Sequence, residues 1–110
     1  MGLAASQARL LSLVARKSDL ELQLQMINQA RTSLANMVGR LSLESANRSD
    51  LTWAQQQPTN AALAFLQQRD KILEMNAQRV NTQHEAVQTE IAAVQKVIQR
   101  NIQMSFKLMG

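Results

Sequence analysis

Seven-residue steps from Leu66 land on Leu73, Val80, Val87, Val94, Asn101 and Leu108, and all of these but Asn101 are apolar. No Gly or Pro interrupts the run from Asn60 to Met109. An apolar repeat near 3.5 residues keeps one stripe of a helix against a partner. A helix of this length, about 70 Å at about 1.5 Å per residue, must lie along something equally long. The offset positions Asp70, Ala77, His84, Ile91, Ile98 and Ser105 leave the stripe half polar at first and strongest from Val87 to Ile98. Val87 and Val94 are therefore expected to be buried against the N-terminal half of a partner helix.

That partner precedes it in the chain. Leu10, Leu13, Lys17, Leu20, Leu24, Ile27, Arg31, Leu34, Val38 and Leu41 keep 3-4 spacing over residues 6–47, with Lys17 and Arg31 as the polar interruptions. Ser6 is read as the N-cap. Ser18 with Glu21 has capping-box spacing, so a restart there is the alternative to one continuous helix. Gly39 marks a bend, a close backbone approach or tolerated drift. Between the two runs, Asn47, Ser49, Asp50, Thr52, Pro58, Thr59 and Asn60 are turn and cap residues. Pro58 is expected to lie outside a helix interior and to turn Gln57 away from the helical region. The prediction is an all-α, long antiparallel helical hairpin of one domain, residues 1–110. Its helices cover about 6–47 and 61–108, and its tip covers 48–60. Trp53, Pro58 and Asn60 mark that tip; Trp53 plugs it, and a ligand-binding Trp53 is the minor reading.

Beyond Ile91 the spacing changes. Ile91, Val94, Ile98, Ile102, Phe106 and Met109 step by 3, 4, 4, 4 and 3 residues, longer than the 3.5-residue repeat before them, so the stripe rotates away from the seam. With Val97 and Leu108, the C-terminal end is apolar on more than one face. One partner helix cannot cover it, which makes Ile98, Ile102, Phe106, Leu108 and Met109 candidates for self-assembly.

Composition removes most chemistry. Apolar residues make up 45% of the chain but aromatics only 3%, which suits helix-on-helix packing better than an aromatic-rich core. Without Cys there is no disulfide or thiol chemistry, and one His with eight scattered carboxylates offers no metal site. His84 lies on the stripe and reads as a packed residue, not a ligand. No catalytic constellation, cofactor site or transmembrane run is visible. No basic-then-apolar leader is evident, so export is expected to proceed without a cleaved signal peptide. Gly2 with Ser6 also fits a short myristoylation pattern, for which a capped helix start is the plainer reading.

The net charge of +4 is concentrated at two ends. Arg9, Arg16 and Lys17 have no acid before Asp19, and Lys96, Arg100 and Lys107 have none after Glu90. Folding back brings these basic ends together, either as solvated helix ends or as a functional surface. Nucleic acid is an unfavoured partner, because the cations are few and lack interleaved aromatics.

The Pro58-Thr59-Asn60 turn with Leu63, and the Ile102-Gln103 and Phe106-Lys107 ending, resemble the needle subunits of bacterial type III secretion systems. The likeness covers the second half of the chain. Ala61 stands where the family has a second turn proline, and Leu108-Met109-Gly110 extends past the usual end. Small secreted WXG-type hairpins share the architecture, but Trp53-Ala54-Gln55 lacks their Gly. The resemblance implies an exported bacterial hairpin that polymerises with copies of itself, at the cell surface or outside the cell, in contact with a secretion apparatus. The alternative is a cytoplasmic coiled-coil adaptor, chaperone or regulator that binds a protein partner. An enzyme is not expected.

Overall fold

The computed structural model describes the backbone of residues 2–47 and 53–109, and the side chains of these except 53–55 and 109. Two helices, α1 (Leu3–Asn47) and α2 (Trp53–Met109), account for every described residue after Gly2, with no strand among them. The fold is an all-α helical hairpin. Its contacts group into two compact units, Met1–Gln23 with Val80–Gly110, and Leu24–Arg79.

In the first unit the core is a short ladder. Leu13 and Leu20 of α1 and Val80, Val87 and Val94 of α2 are buried, each a heptad from the next on its own helix. Arg9 pairs with Glu90 and Glu21 with His84, so numbers rise along one helix as they fall along the other. The helices are antiparallel, as the two-stripe pattern requires. Ser6 is also fully buried, and its hydroxyl finds no partner among the described residues. A side chain this small lets the neighbouring helix approach closely, and the unpaired hydroxyl is the cost.

In the second unit Ala77 is the only described hydrophobic residue that is fully buried. Leu24, Ile27, Leu34, Val38 and Leu41 of α1, with Leu66 and Leu73 of α2, are half-buried. Two helices shield only the strip along which they touch, and a third element would be needed to close the flanks of these side chains. Here an ion pair replaces part of the apolar seam. Arg31 donates from Nε to Asp70 Oδ1 at 2.9 Å and from Nη2 to Oδ2 at 3.3 Å.

Two expectations are corrected. α1 begins at Leu3, so Ser6 sits inside the helix, its N–H donating to the Gly2 carbonyl at 2.9 Å, and is not its N-cap. α2 begins at Trp53 and runs through Pro58, so Gln57, Pro58 and Asn60 are helical and do not belong to the tip. Pro58 is the sixth residue of that helix. The first four N–H groups of any helix lack an intrahelical acceptor, so a proline just past them removes a single bond, to the carbonyl of Ala54. The good helix formers Ala54–Gln57 outweigh that loss. Ser105 and Leu108 continue the heptad in sequence and are exposed, Leu108 at the end that one partner helix is not expected to cover. Residues 48–52, and with them the rest of the expected tip, lie outside the described residues. At Gly39 an added Cβ would meet nothing within 4 Å, which removes the close-approach explanation.

Candidate functional site

The C-terminal segment of α2 carries large apolar side chains without a covering partner. Ile98 is half-buried, but Ile102 is 40% exposed, Phe106 74% and Leu108 87%. The cause is register. With Arg9 beside Glu90, antiparallel pairing brings Leu3, the first residue of α1, level with about residue 96, since both helices rise at about 1.5 Å per residue. No described residue of α1 stands opposite the last two turns of α2. Ile102, Met104, Phe106 and Leu108 are therefore left exposed on different sides of the helix, the last two most of all. The side chain of Met109, the fifth candidate residue, lies outside the described residues, as does that of Trp53. Pro58 and Asn60 are exposed on the helix surface.

All six residues of the expected basic end belong to the first unit. Arg9 is engaged with Glu90 at 3.0 Å, and Lys17 lies 3.9 Å from Glu21. Arg16, Lys96, Arg100 and Lys107 are exposed and form no ion pair among the described residues. About 100° of rotation per residue keeps Arg16 on the side of α1 marked by Arg9, whereas Lys96, Arg100 and Lys107 lie roughly 80–120° around α2 from Glu90, on its face away from the seam. Lys17 falls on the side marked by Glu21 and His84.

The polar interactions across each seam are structural. His84 Nε2 is 3.1 Å from Glu21 Oε1, a geometry that requires the proton on Nε2 when the carboxylate is ionised. Arg31 and Asp70 border an open groove of about 630 Å³ in the second unit, lined also by Asn28, Leu34, Val38 and Gln67. The hydrogen bond from Arg31 holds the Asp70 carboxyl below the usual carboxylate range, against the opposing effect of burial and with the help of the guanidinium charge. The same bond raises Arg31 further above its already high value. A carboxylate held ionised by a bidentate guanidinium is a poor acid or base, so the groove has no proton-transfer pair. Among the described residues no group of three or more His, Cys, Asp or Glu could hold a metal ion, and no helix is long and apolar enough to cross a membrane.

The Asp70 shift has a sign that can be checked. Because the folded value lies below the unfolded one, about 3.9, its stabilisation is present above that pH and is lost as pH falls through the folded value. The melting temperature should therefore fall more steeply below pH 4 in the native chain than in Asp70→Asn. Identical acid profiles by circular dichroism would mean that the pair does not form in solution.

One surface escaped the sequence reading. Met26 and Met37 of α1 and Phe65, Ile72 and Met75 of α2 are all half or more exposed, and all belong to the second unit. Helical rotation places them together on the side opposite the Arg31–Asp70 pair. The signal was present: Phe65 and Ile72 are a heptad apart, and Met75 continues their 3-4 spacing beside the main stripe. The stronger stripe masked it. Arg69 stands over the Phe65 ring, 5.9 Å from its centroid, at the rim of this face.

No protein family, no curated protein and no solved structure matches the chain.

Proposed function

We propose that this chain is a structural subunit that assembles with copies of itself into a filament or tube, a needle-like exported polymer of bacterial type. The observation that carries the reading is the uncovered end of α2, where Ile102, Phe106 and Leu108 face solvent beyond the reach of α1. Exposed apolar area of this size marks an interaction site. A Gln- and Asn-rich surface, 22 of 110 residues, adds little charge repulsion between copies. The polymer reading also accounts for a hairpin with so few fully buried side chains, because neighbouring subunits supply the missing cover. Assembly at a cell surface, with a secretion apparatus as a further partner, rests on the likeness of Ile102-Gln103 and Phe106-Lys107 to the end of needle subunits, since Pro58-Thr59-Asn60, the turn of that likeness, is helical here. The second reading, a coiled-coil adaptor or chaperone in the cytoplasm, shares the exposed apolar end but uses it for a different protein.

The exposed cations supply a test. Arg16, Lys96, Arg100 and Lys107 repel their counterparts when subunits bring these ends together, and salt screens that repulsion over about 10 Å at 0.1 M. The pelleted fraction in high-speed sedimentation should rise with protein concentration and rise again on moving from low to moderate salt. A species that stays small at every concentration would favour the adaptor. Assembly that weakens steadily with salt would point to intersubunit ion pairs in place of this arrangement.

A further inference from the structure

We propose that the end of α2, from Lys96 to Leu108, binds an anionic lipid surface. The segment divides around the helix by residue type. At about 100° per residue, Lys96, Arg100 and Lys107 fall within about 40° of one another, and Gln99 and Gln103 complete a polar arc beside them. Every remaining position in the segment is apolar apart from Asn101 and Ser105. No acid occurs after Glu90, and the three cations are exposed and form no ion pair among the described residues. A helix with a cationic stripe on one side and a broad apolar arc on the other lies at the boundary between lipid headgroups and acyl chains. The helix dipole accounts for Lys107 in the last turn, but its reach does not extend back to Lys96 or Arg100.

The breadth of the apolar arc and the charge opposite it select this occupant. A helix seated in a protein groove presents one narrow row of anchors. Here Met104 and Leu108 lie toward one edge of the arc and Ile102 and Phe106 toward the other, and all four are exposed. A bilayer covers such an arc without matching its shape. Its anionic headgroups complement the cations, whose long stems keep the charges in the headgroup layer. The exposed apolar side chains elsewhere lack this pairing. In the stretch of α1 that carries Leu11, Val14 and Leu22, Arg9 and Lys17 already lie against Glu90 and Glu21. The second unit mixes its cations with Glu44, Asp70 and Glu74. This use goes beyond self-assembly and competes with it, because a side chain buried in lipid is not available to another copy. Salt separates the two: screening weakens attraction to an anionic surface but favours contact between like-charged copies.

Flotation of the full chain with lipid vesicles tests the proposal, at a protein concentration below that at which the chain pellets. At low salt the chain should float with vesicles of phosphatidylcholine and phosphatidylglycerol, remain behind with phosphatidylcholine alone, and be released as salt rises. The variant Lys96→Gln/Arg100→Gln/Lys107→Gln should bind the anionic vesicles about a hundredfold more weakly. Its circular dichroism should stay helical, and its pelleting at high concentration should be kept or increased, since repulsion between copies is reduced. Equal flotation on neutral and anionic vesicles, or undiminished flotation of the triple variant, would overturn the proposal. Pelleting at high concentration without flotation on either vesicle would overturn it and leave the filament reading standing. Flotation on anionic vesicles by a chain that never pellets alone would support it and overturn the filament reading.

Discussion

Val87→Asp should unfold the hairpin at room temperature. Val87 is only 5% exposed, at the middle of the Val80–Val87–Val94 ladder and across from the Leu13–Leu20 side of α1. A carboxylate there loses its hydration without gaining a cation. Of the basic residues of this unit, Lys17 in the α1 stripe already lies against Glu21 and Arg9 serves Glu90, while Arg16, Lys96, Arg100 and Lys107 are exposed. Burying an unpaired charge costs at least about 3 kcal/mol, against a total folding stability of about 5–15 kcal/mol for ordinary domains. A unit whose described core is five side chains and a serine stands at the low end of that range. Thermal melting by circular dichroism should show a large fall in midpoint or loss of the helical signal. Gln88→Asp, one residue away on the exposed surface, should melt close to the native chain. A Val87→Asp variant of native stability would mean that the seam does not pass through this residue.

Deleting Phe106–Gly110 should have the opposite character, leaving the fold and removing the assembly. The segment contributes no described residue to the buried ladder, which ends at Val94. It does contain Phe106 and Leu108, the two most exposed of the large apolar residues named at this end. Covering roughly 200 Å² of their apolar surface recovers about 5 kcal/mol per contact, before the costs of association are deducted. A polymer makes that contact once per subunit, so its loss should lower the pelleted fraction from most of the protein to background. Circular dichroism should still report a helical chain. Loss of helicity would make the segment part of the fold, and undiminished pelleting would place the contacts between copies elsewhere.

The hairpin was legible because its seam is periodic. Each of Leu10, Leu13, Lys17, Leu20, Leu24, Ile27, Arg31, Leu34, Val38 and Leu41 is buried or half-buried, while the residues between them are exposed apart from Ala30. The polar members have partners suited to the site, Glu21 for Lys17 and Asp70 for Arg31. On α2 the stripe holds from Leu66 to Asn101 and then fails at Ser105 and Leu108. Periodicity reports a helix face, but it does not report how far the partner extends, and that register decides which residues stay wet. Pro58 misled for a different reason. Its local preference is strong, yet near the start of a helix it costs one hydrogen bond, and the 52 residues from Pro58 to Met109 form one uninterrupted helix. The apolar face at Phe65, Ile72 and Met75 was hidden because a second stripe on one helix is easily taken for scattered surface residues. Only the position of α1 shows that Met26 and Met37 lie on the same side.

Negative-stain electron microscopy of the purified chain tests the self-assembly claim most directly. At moderate salt, and above the concentration at which the protein begins to pellet, filaments or tubes of uniform width should appear. A field of small discrete particles, unchanged at higher concentration and salt, would contradict it.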